Sequence, residues 1–254
     1  MIEQKSLAYV NMYGVLGSLE NLCSIDSEAK KVLKKIKKPV GLCFDVKDGP
    51  CCTLNFTSEG CTMTEGDEGC TAKMSFASPE KFNLLINESK PGMPTKNPAG
   101  TLAFLLGPFT KLTNRLNEVL RPTVEAMKDK AFFEENTIMT MYVIGGAVCA
   151  LANNDCISKI SAGNTVDGDI LMAIPEKAEI SIRVKDHNFT LIKSRTEKPR
   201  AIMEFANIEL ANGLFAGTVS TVNEMCKGTI RLSGMISMID NVNRILDRVS
   251  VYLA

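Results

Sequence analysis

The hydrophobic positions of this chain follow two rhythms, and the same succession of rhythms occurs twice. Leu7, Val10, Tyr13, Leu16 and Leu19 recur at the spacing of one helix face, and the apolar stretch Ile138 to Leu151 predicts a second, more buried helix. After each helix the period shortens to two. Ile180, Ile182 and Val184 alternate with Ser181 and Arg183, then resume as Phe189 and Leu191 beyond the polar turn Lys185–Asn188. Cys52, Leu54 and Phe56, then Cys61 and Met63, do the same around Ser58-Glu59-Gly60. Both patterns predict hairpins with one buried face.

A further strand follows in each half (Ala72, Met74, Phe76; Ala201, Met203, Phe205) and runs into a helix. Ser78 before Pro79, and Asn207 in the second half, are the residue types that cap helix N-termini. Next come glycine-bounded segments, Gly228 to Gly234 and Gly100 to Gly107, each predicted as a strand. Each half closes on an amphipathic helix. In the second, Ile239, Val242, Ile245, Leu246, Val249 and Leu253 share one face.

The halves match residue by residue. At an offset of 128, Leu42 pairs with Ile170, Phe44 with Met172, Leu54 with Ile182, Phe56 with Val184 and Met63 with Leu191. One residue later in phase, Met74 meets Met203, Phe76 meets Phe205, Glu80 meets Glu209 and Asn83 meets Asn212. Near the end the offset slips to 127, pairing Gly107 with Gly234 and Leu112 with Ile239. Small slips confined to loops point to an internal duplication. The expected fold is α+β: two tandem units, 1–122 and 123–254, each a mostly antiparallel sheet covered by helices on one side. Pro122 ends the preceding helix, and Phe132 and Phe133 among charged residues predict a helix opening the second unit.

Composition narrows the function classes. Hydrophobic residues at 45% and charged residues at 23% are those of an ordinary globular protein. Zero formal net charge and the absence of Trp speak against a nucleic-acid partner. The run Lys30–Lys38 reads as the solvated face of a helix rather than a basic patch. The N-terminus has no basic-then-apolar leader, and Ile138 to Ala152 is shorter than the ~20 residues of a spanning helix. A cytoplasmic protein with reduced thiols and no stable membrane insertion is expected, its sequons (at Asn55, Asn87 and Asn188) being chance matches.

No catalytic set emerges. His187, the one histidine, falls in a predicted hairpin turn. Cys51, Cys52, Cys61 and Cys70 lack C-x-x-C spacing, and Cys52, Cys61 and Cys70 share the parity of apolar strand neighbours. The second half carries Ile180 and Phe189 in place of Cys52 and Cys61, so these thiols read as small core hydrophobes and no metal is expected. Asp167-Gly168-Asp169 reads as a turn, and no phosphate loop, dinucleotide loop or nucleophile elbow is present. The chain is expected to be no enzyme and to carry no cofactor.

The alternation Ala201 to Phe205, the capped helix ending in Leu214 to Gly217, the strand with Gly228, Ile230, Leu232 and Gly234, and the final amphipathic helix resemble the sterol carrier protein 2 family of lipid-binding domains. The first half resembles it more loosely, with Pro91, Pro94 and Pro98 between helix and strand and no counterpart of Gly217. The resemblance implies that an acyl chain, fatty acid or similar lipid lies in an apolar tunnel between sheet and helices. Its walls in the second half are then Phe205, Ile230 and Leu232 on the strands, with Leu214, Phe215, Met238, Ile239 and Val242 closing them. Phe76, Phe82, Leu85, Phe104 and Leu112 are the first-half equivalents. Thirteen methionines suit a pliant wall, and serve equally to fill core gaps. The competing expectation is an interaction module whose two units pack together without a ligand.

Overall fold

A computed structural model describes residues 2–88 and 98–253. Pro91, Pro94 and Ser89 of one sequon lie outside the described residues. The chain is α+β and divides into two compact units, Met1–Glu135 and Asn136–Ala254, so the division falls inside a helix rather than at Pro122.

In unit 1 a helical stretch comes first: α1 (Gln4–Tyr9), a π-helical segment Val10–Val15, a short 3-10 turn and α2 (Leu19–Ile25), followed by α3 (Ser27–Leu33). The strands β1 (Val40–Val46), β2 (Cys51–Phe56), β3 (Cys61–Glu65) and β4 (Ala72–Phe76) form a sheet of order β3-β2-β1-β4. Neighbours are antiparallel except β1 and β4, where Leu42 lies beside Ala72 and Phe44 beside Met74. The helices α4 (Pro79–Glu88), α5 (Pro98–Phe104) and α6 (Thr110–Leu120) complete the unit.

Unit 2 holds most of the long helix α7 (Lys130–Asn154), which begins in unit 1 and carries Phe132 and Phe133 in its opening turns. Then come α8 (Ser158–Gly163), β5 (Gly168–Ile174), β6 (Ala178–Lys185), β7 (Asn188–Ile192) and β8 (Ala201–Phe205). α9 (Ile208–Phe215), α10 (Thr221–Lys227), β9 (Ile230–Gly234) and α11 (Ile236–Leu253) follow. The sheet order is β7-β6-β5-β8-β9, with β5 and β8 parallel and Ile170 beside Ala201. The first four strands thus repeat the order and directions of unit 1. α7 is long and apolar enough to cross a membrane by length and composition, and most of its apolar stretch is buried inside the protein.

Contacts repeat at the sequence offset. A Cβ at Gly17 would meet Met63, and one at Gly145 would meet Leu191 and Ile180, so in each unit the first helix rests closely on the hairpin through a glycine. The Thr53 hydroxyl donates to the Gly66 carbonyl at 2.9 Å, and the Ser181 hydroxyl donates to the Ser194 carbonyl at 2.9 Å. Asn83 on α4 donates to the Gln4 carbonyl, and its own oxygen accepts from Asn11 at 3.0 Å. Asn212 on α9 donates to Asn136 and Thr137 of α7. Each amide satisfies polar groups that would otherwise be buried unpaired between two helices.

Two expectations need correction. The segment Gly100 to Gly107 is not a strand. It lies in α5 and a π-helical segment, Leu105–Phe109, that runs on into α6. Leu102, Ala103, Leu105 and Leu106 are strong helix formers, whereas the matching unit 2 segment has β-branched Ile230 where unit 1 has Leu102. Pro108 lacks an N–H, and the wider π turn accommodates it while the Thr110 hydroxyl donates to the Leu105 carbonyl at 2.6 Å. In unit 2, Gly228 caps α10 at φ 74° and Gly234 ends β9 at φ 78°, where a Cβ would strike the Arg200 carbonyl. Those conformations fix a strand between them.

The second correction concerns the sheet faces. Cys43 on β1, and Leu171 and Ala173 on β5, are buried on the side expected to face solvent. The β3–β4 and β7–β8 connections reach the backs of the sheets, which is what the Thr53 and Ser181 bonds record.

Candidate ligand site

In unit 2 the apolar face of β8 and β9 is assembled by register. Phe205 lies beside Ile230 and Met203 beside Leu232, placing all four side chains on one side. α9 starts where the Asn207 carboxamide oxygen accepts the Leu210 N–H at 2.8 Å, and it delivers Phe215 edge-on to Phe205 at 5.7 Å between ring centres. α11 packs across β8 and β9 with Met238, Ile239 and Val242 buried. Phe205 and Ile230 are buried too, whereas Leu214, Phe215 and Leu232 are only half-buried. α10 buries no residue, and its Val222 and Met225 stand exposed.

The unit 1 residues fall differently. Phe82 (α4), Phe104 (α5) and Leu112 (α6) are buried, while Phe76 and Leu85 are half-buried. Phe76 meets Phe82 at 5.2 Å, Phe82 meets Phe44 at 6.4 Å, Phe44 meets Phe109 at 6.2 Å, and Phe109 meets Phe56 at 6.0 Å. Phe104 closes the chain of rings, 5.3 Å from Phe56 and 6.1 Å from Phe109. Such tilted and edge-to-face pairs contribute about 0.5–1.5 kcal/mol each beyond area burial. Sequence reasoning omitted Phe44, Phe56 and Phe109 from this cluster, although the matched pairs Phe44/Met172 and Phe56/Val184 already displayed the difference in side-chain size.

Two ionic anchors were also missed. Asp26 caps α3, its carboxylate accepting the Ala29 N–H, and Arg115 of α6 binds it at 2.9 and 3.1 Å. The same guanidinium reaches Glu135 at 3.1 Å and lies over the Phe132 ring. In unit 2, Asp155 accepts the Ser158 N–H at 2.8 Å and hydroxyl at 2.7 Å, together with the Tyr252 hydroxyl at 2.8 Å and Arg248 of α11 at 3.4 Å. In both units an Asp before the short helix is tied to an Arg on the last helix. The signal available was the match of Asp26 to Asp155 at the repeat offset.

Burial alone would raise the Asp26 carboxyl, but hydrogen bonds from Arg115 and Ala29 hold it below its ordinary range. Burial and the neighbouring Asp26 carboxyl push Glu135 up to about 7. Asp155 is held low against the effect of its burial by Ser158, Tyr252 and Arg248. The contacts of all three carboxyls are those of helix braces.

The thiols separate by face. Cys52 and Cys61 are buried among the apolar strand residues. Cys70 is half-buried and precedes β4 rather than sharing its alternation, its thiol lying 3.4 Å from the Ala72 carbonyl. Cys43 and Cys51 approach to 3.9 Å on the opposite face, and desolvation raises Cys43 to about 12, which keeps it protonated at neutral pH. His187 is exposed in the β6–β7 turn at φ 61°, beside Asp186 at φ 50°.

No protein-family model matches the chain, and no curated protein matches it either. Solved structures similar to it include the UbiJ-SCP2 ubiquinone synthesis protein, at 8% identity and a TM-score of 0.34, covering 42% of this chain and 91% of that one. A conserved hypothetical protein of Thermus thermophilus, described as possibly a sterol carrier protein, matches at 12% identity and a TM-score of 0.32, covering 43% of this chain and 82% of its own. Sterol carrier protein 2 like 2 of Aedes aegypti matches at 11% identity and a TM-score of 0.30, covering 41% and 94%. Each of these three structures aligns with about two-fifths of this chain.

Proposed function

We propose that this chain binds or transfers a hydrophobic small molecule, a fatty acid, acyl chain or similar lipid, as a duplicated pair of sterol-carrier-like units acting in the cytoplasm without catalysis. The observation that carries the reading is the graded apolar layer of unit 2. Phe205, Ile230, Met238, Ile239 and Val242 are buried, while Leu214, Phe215 and Leu232 beside them remain half-buried. A guest sliding under α9 would complete their burial, at about 0.8 kcal/mol per CH2. Palmitate is the probe. Displacement of a fluorescent fatty acid by palmitate, abolished by Leu232→Asp in a variant that still folds, is the expected result. No uptake and no lipid released by organic extraction would overturn it.

The exposed Val222 (69%) and Ile160 (67%) favour a second reading, an interaction module without a ligand. Native mass spectrometry separates the two. A co-purifying lipid mass supports the carrier, and a bare chain that takes up no palmitate supports the module.

A further inference from the structure

The side of the unit 1 sheet turned away from the phenylalanine cluster carries two thiols that the apolar layer does not use. Cys43 sits in the middle of β1, opposite Thr53 and beside Lys73, and Cys51 opens β2 opposite Asp45. The two cysteines are therefore diagonal neighbours on one face of the β1–β2 ladder, and their Sγ atoms approach to 3.9 Å. Cys43 is fully buried and Cys51 half-buried, so one thiol is sheltered and the other open to a small reagent. The backbone beneath them is fixed, since the Cys51 carbonyl accepts the Gly66 N–H at 2.9 Å and the Tyr13 hydroxyl at 3.2 Å. The repeat sets this pair apart from ordinary packing. At offset 128, Cys52 matches Ile180, apolar for apolar. Cys43 matches Leu171, but Cys51 matches Glu179, whose carboxylate ion-pairs with Arg195 at 2.9 Å. A position that accepts a charged carboxylate in unit 2 needs no small hydrophobe in unit 1, so burial does not account for Cys51.

We infer that Cys43 and Cys51 form a reversible disulfide when the protein meets hydrogen peroxide, with Cys51 oxidised first and Cys43 as its resolving thiol. The inference is independent of lipid binding. In the first step the Cys51 thiolate sulfur attacks one peroxide oxygen, the O–O bond breaks and hydroxide leaves, giving a sulfenic acid. That hydroxide takes up the proton Cys51 lost, as water. The Cys43 sulfur then attacks the Cys51 sulfur, the S–O bond breaks, and the departing hydroxide leaves with the Cys43 proton as a second water. Two thiols are oxidised and one peroxide is reduced. Closure brings the sulfurs from 3.9 Å to about 2 Å, a side-chain rotation on strands already held in register. Burial pushes the Cys43 thiol up to about 12. Burial also raises Cys51, although the Cys43 thiol and the Lys73 ammonium oppose it. The pair therefore reacts slowly at neutral pH and faster as pH rises, which suits a response to sustained oxidation rather than peroxide turnover.

Peroxide titration of the full chain tests this, with the exposed Cys156 and Cys226 both replaced by serine so that they do not intervene. Seven of the nine cysteines then remain, and all seven alkylate after unfolding of the unoxidised protein. Five are expected to alkylate after peroxide, with Cys43 and Cys51 joined in one peptide that dithiothreitol separates. The rate should climb between about pH 7 and pH 9. Cys43→Ala should leave Cys51 as a sulfenic acid that dimedone traps, and Cys51→Ser should leave Cys43 reduced. Either variant serves should the other fail to fold. Seven alkylatable thiols after peroxide, or a bond from Cys51 to Cys70 in place of Cys43, would overturn the inference.

Discussion

The two units share a strand order and differ in how the space above it is used. In unit 1 the segment after α4 is helical from Pro98 onward, and it presses Phe104 and Phe109 onto Phe44 and Phe56. In unit 2 the corresponding segment becomes β9, the sheet gains a strand, and the last helix arrives with Met238, Ile239 and Val242 instead of rings. A local change of secondary structure thus decides whether the segment adds two rings to the helical layer or a fifth strand to the sheet. The shared part of the pattern makes the scaffold, and the part that diverges sets how its apolar face is covered.

The largest expected effects test how unit 1 is held. Phe44→Ala should cost about 3–5 kcal/mol, because two ring partners and the sheet cannot all close over the cavity. Met172→Ala should cost less, about 2–3 kcal/mol, since a smaller side chain is removed. Equal losses in urea denaturation would say the two layers are packed alike. Arg115→Met is expected to cost about 3 kcal/mol by leaving the Asp26 and Glu135 carboxyls buried together without their cation. Arg248→Met should cost less, because Ser158 and Tyr252 still donate to Asp155.

The ionic anchors also set the units apart in pH dependence. The Glu135 carboxyl is raised to about 7 in the folded chain, so the stability it confers while protonated is lost as pH climbs from its ordinary 4.5 through 7. Asp26 is depressed, so its contribution is present above its ordinary range and lost only in stronger acid. Unit 1 should therefore weaken between about pH 5 and pH 8, and Glu135→Gln should flatten that slope. Asp155 is held low like Asp26, so the unit 2 anchor loses its contribution only in acid and adds no slope in the same window. Amide hydrogen exchange along α6 and α11 at both pH values distinguishes the helices. An unchanged α6 profile in the Glu135→Gln variant would remove the anchor as the cause.

Much of this architecture is legible in the residues, for a physical reason. Alternation along β2 and β6 is readable because the apolar face of each hairpin lies against helices, and cap residues such as Asn207 act within three residues of themselves. What stays hidden depends on partners far along the chain. Periodicity does not reveal that Arg115 meets Asp26, nor that Phe44 and Phe109 share a ring cluster. Gly100 to Gly107 reads as a strand because a short apolar run between glycines fits strand and helix equally, and the choice falls to its Leu and Ala content. The backs of β1 and β5 look free because the connections that fold across them carry few apolar residues. The candidate walls of the site are readable as apolar positions, but which rings meet in unit 1 is not.

The smallest effect separates the units at the glycines beneath their first helices. Alanine in place of a helical glycine gains about 1 kcal/mol of intrinsic helix preference, so any loss has to come from crowding. At Gly17 the new methyl would meet the Cε of Met63 at 2.9 Å, the free end of a flexible side chain that can swing aside. At Gly145 it would meet Ile180 Cδ1 at 2.7 Å and Leu191 Cδ1 at 2.9 Å, two branched side chains on neighbouring strands. Gly17→Ala should therefore be neutral or slightly stabilising, and Gly145→Ala should lose about 1 kcal/mol net. Thermal denaturation of the two variants decides it. If Gly145→Ala is as harmless as Gly17→Ala, the helix over β6 and β7 has room to lift, and the contact through Gly145 is not the tight one its distances describe.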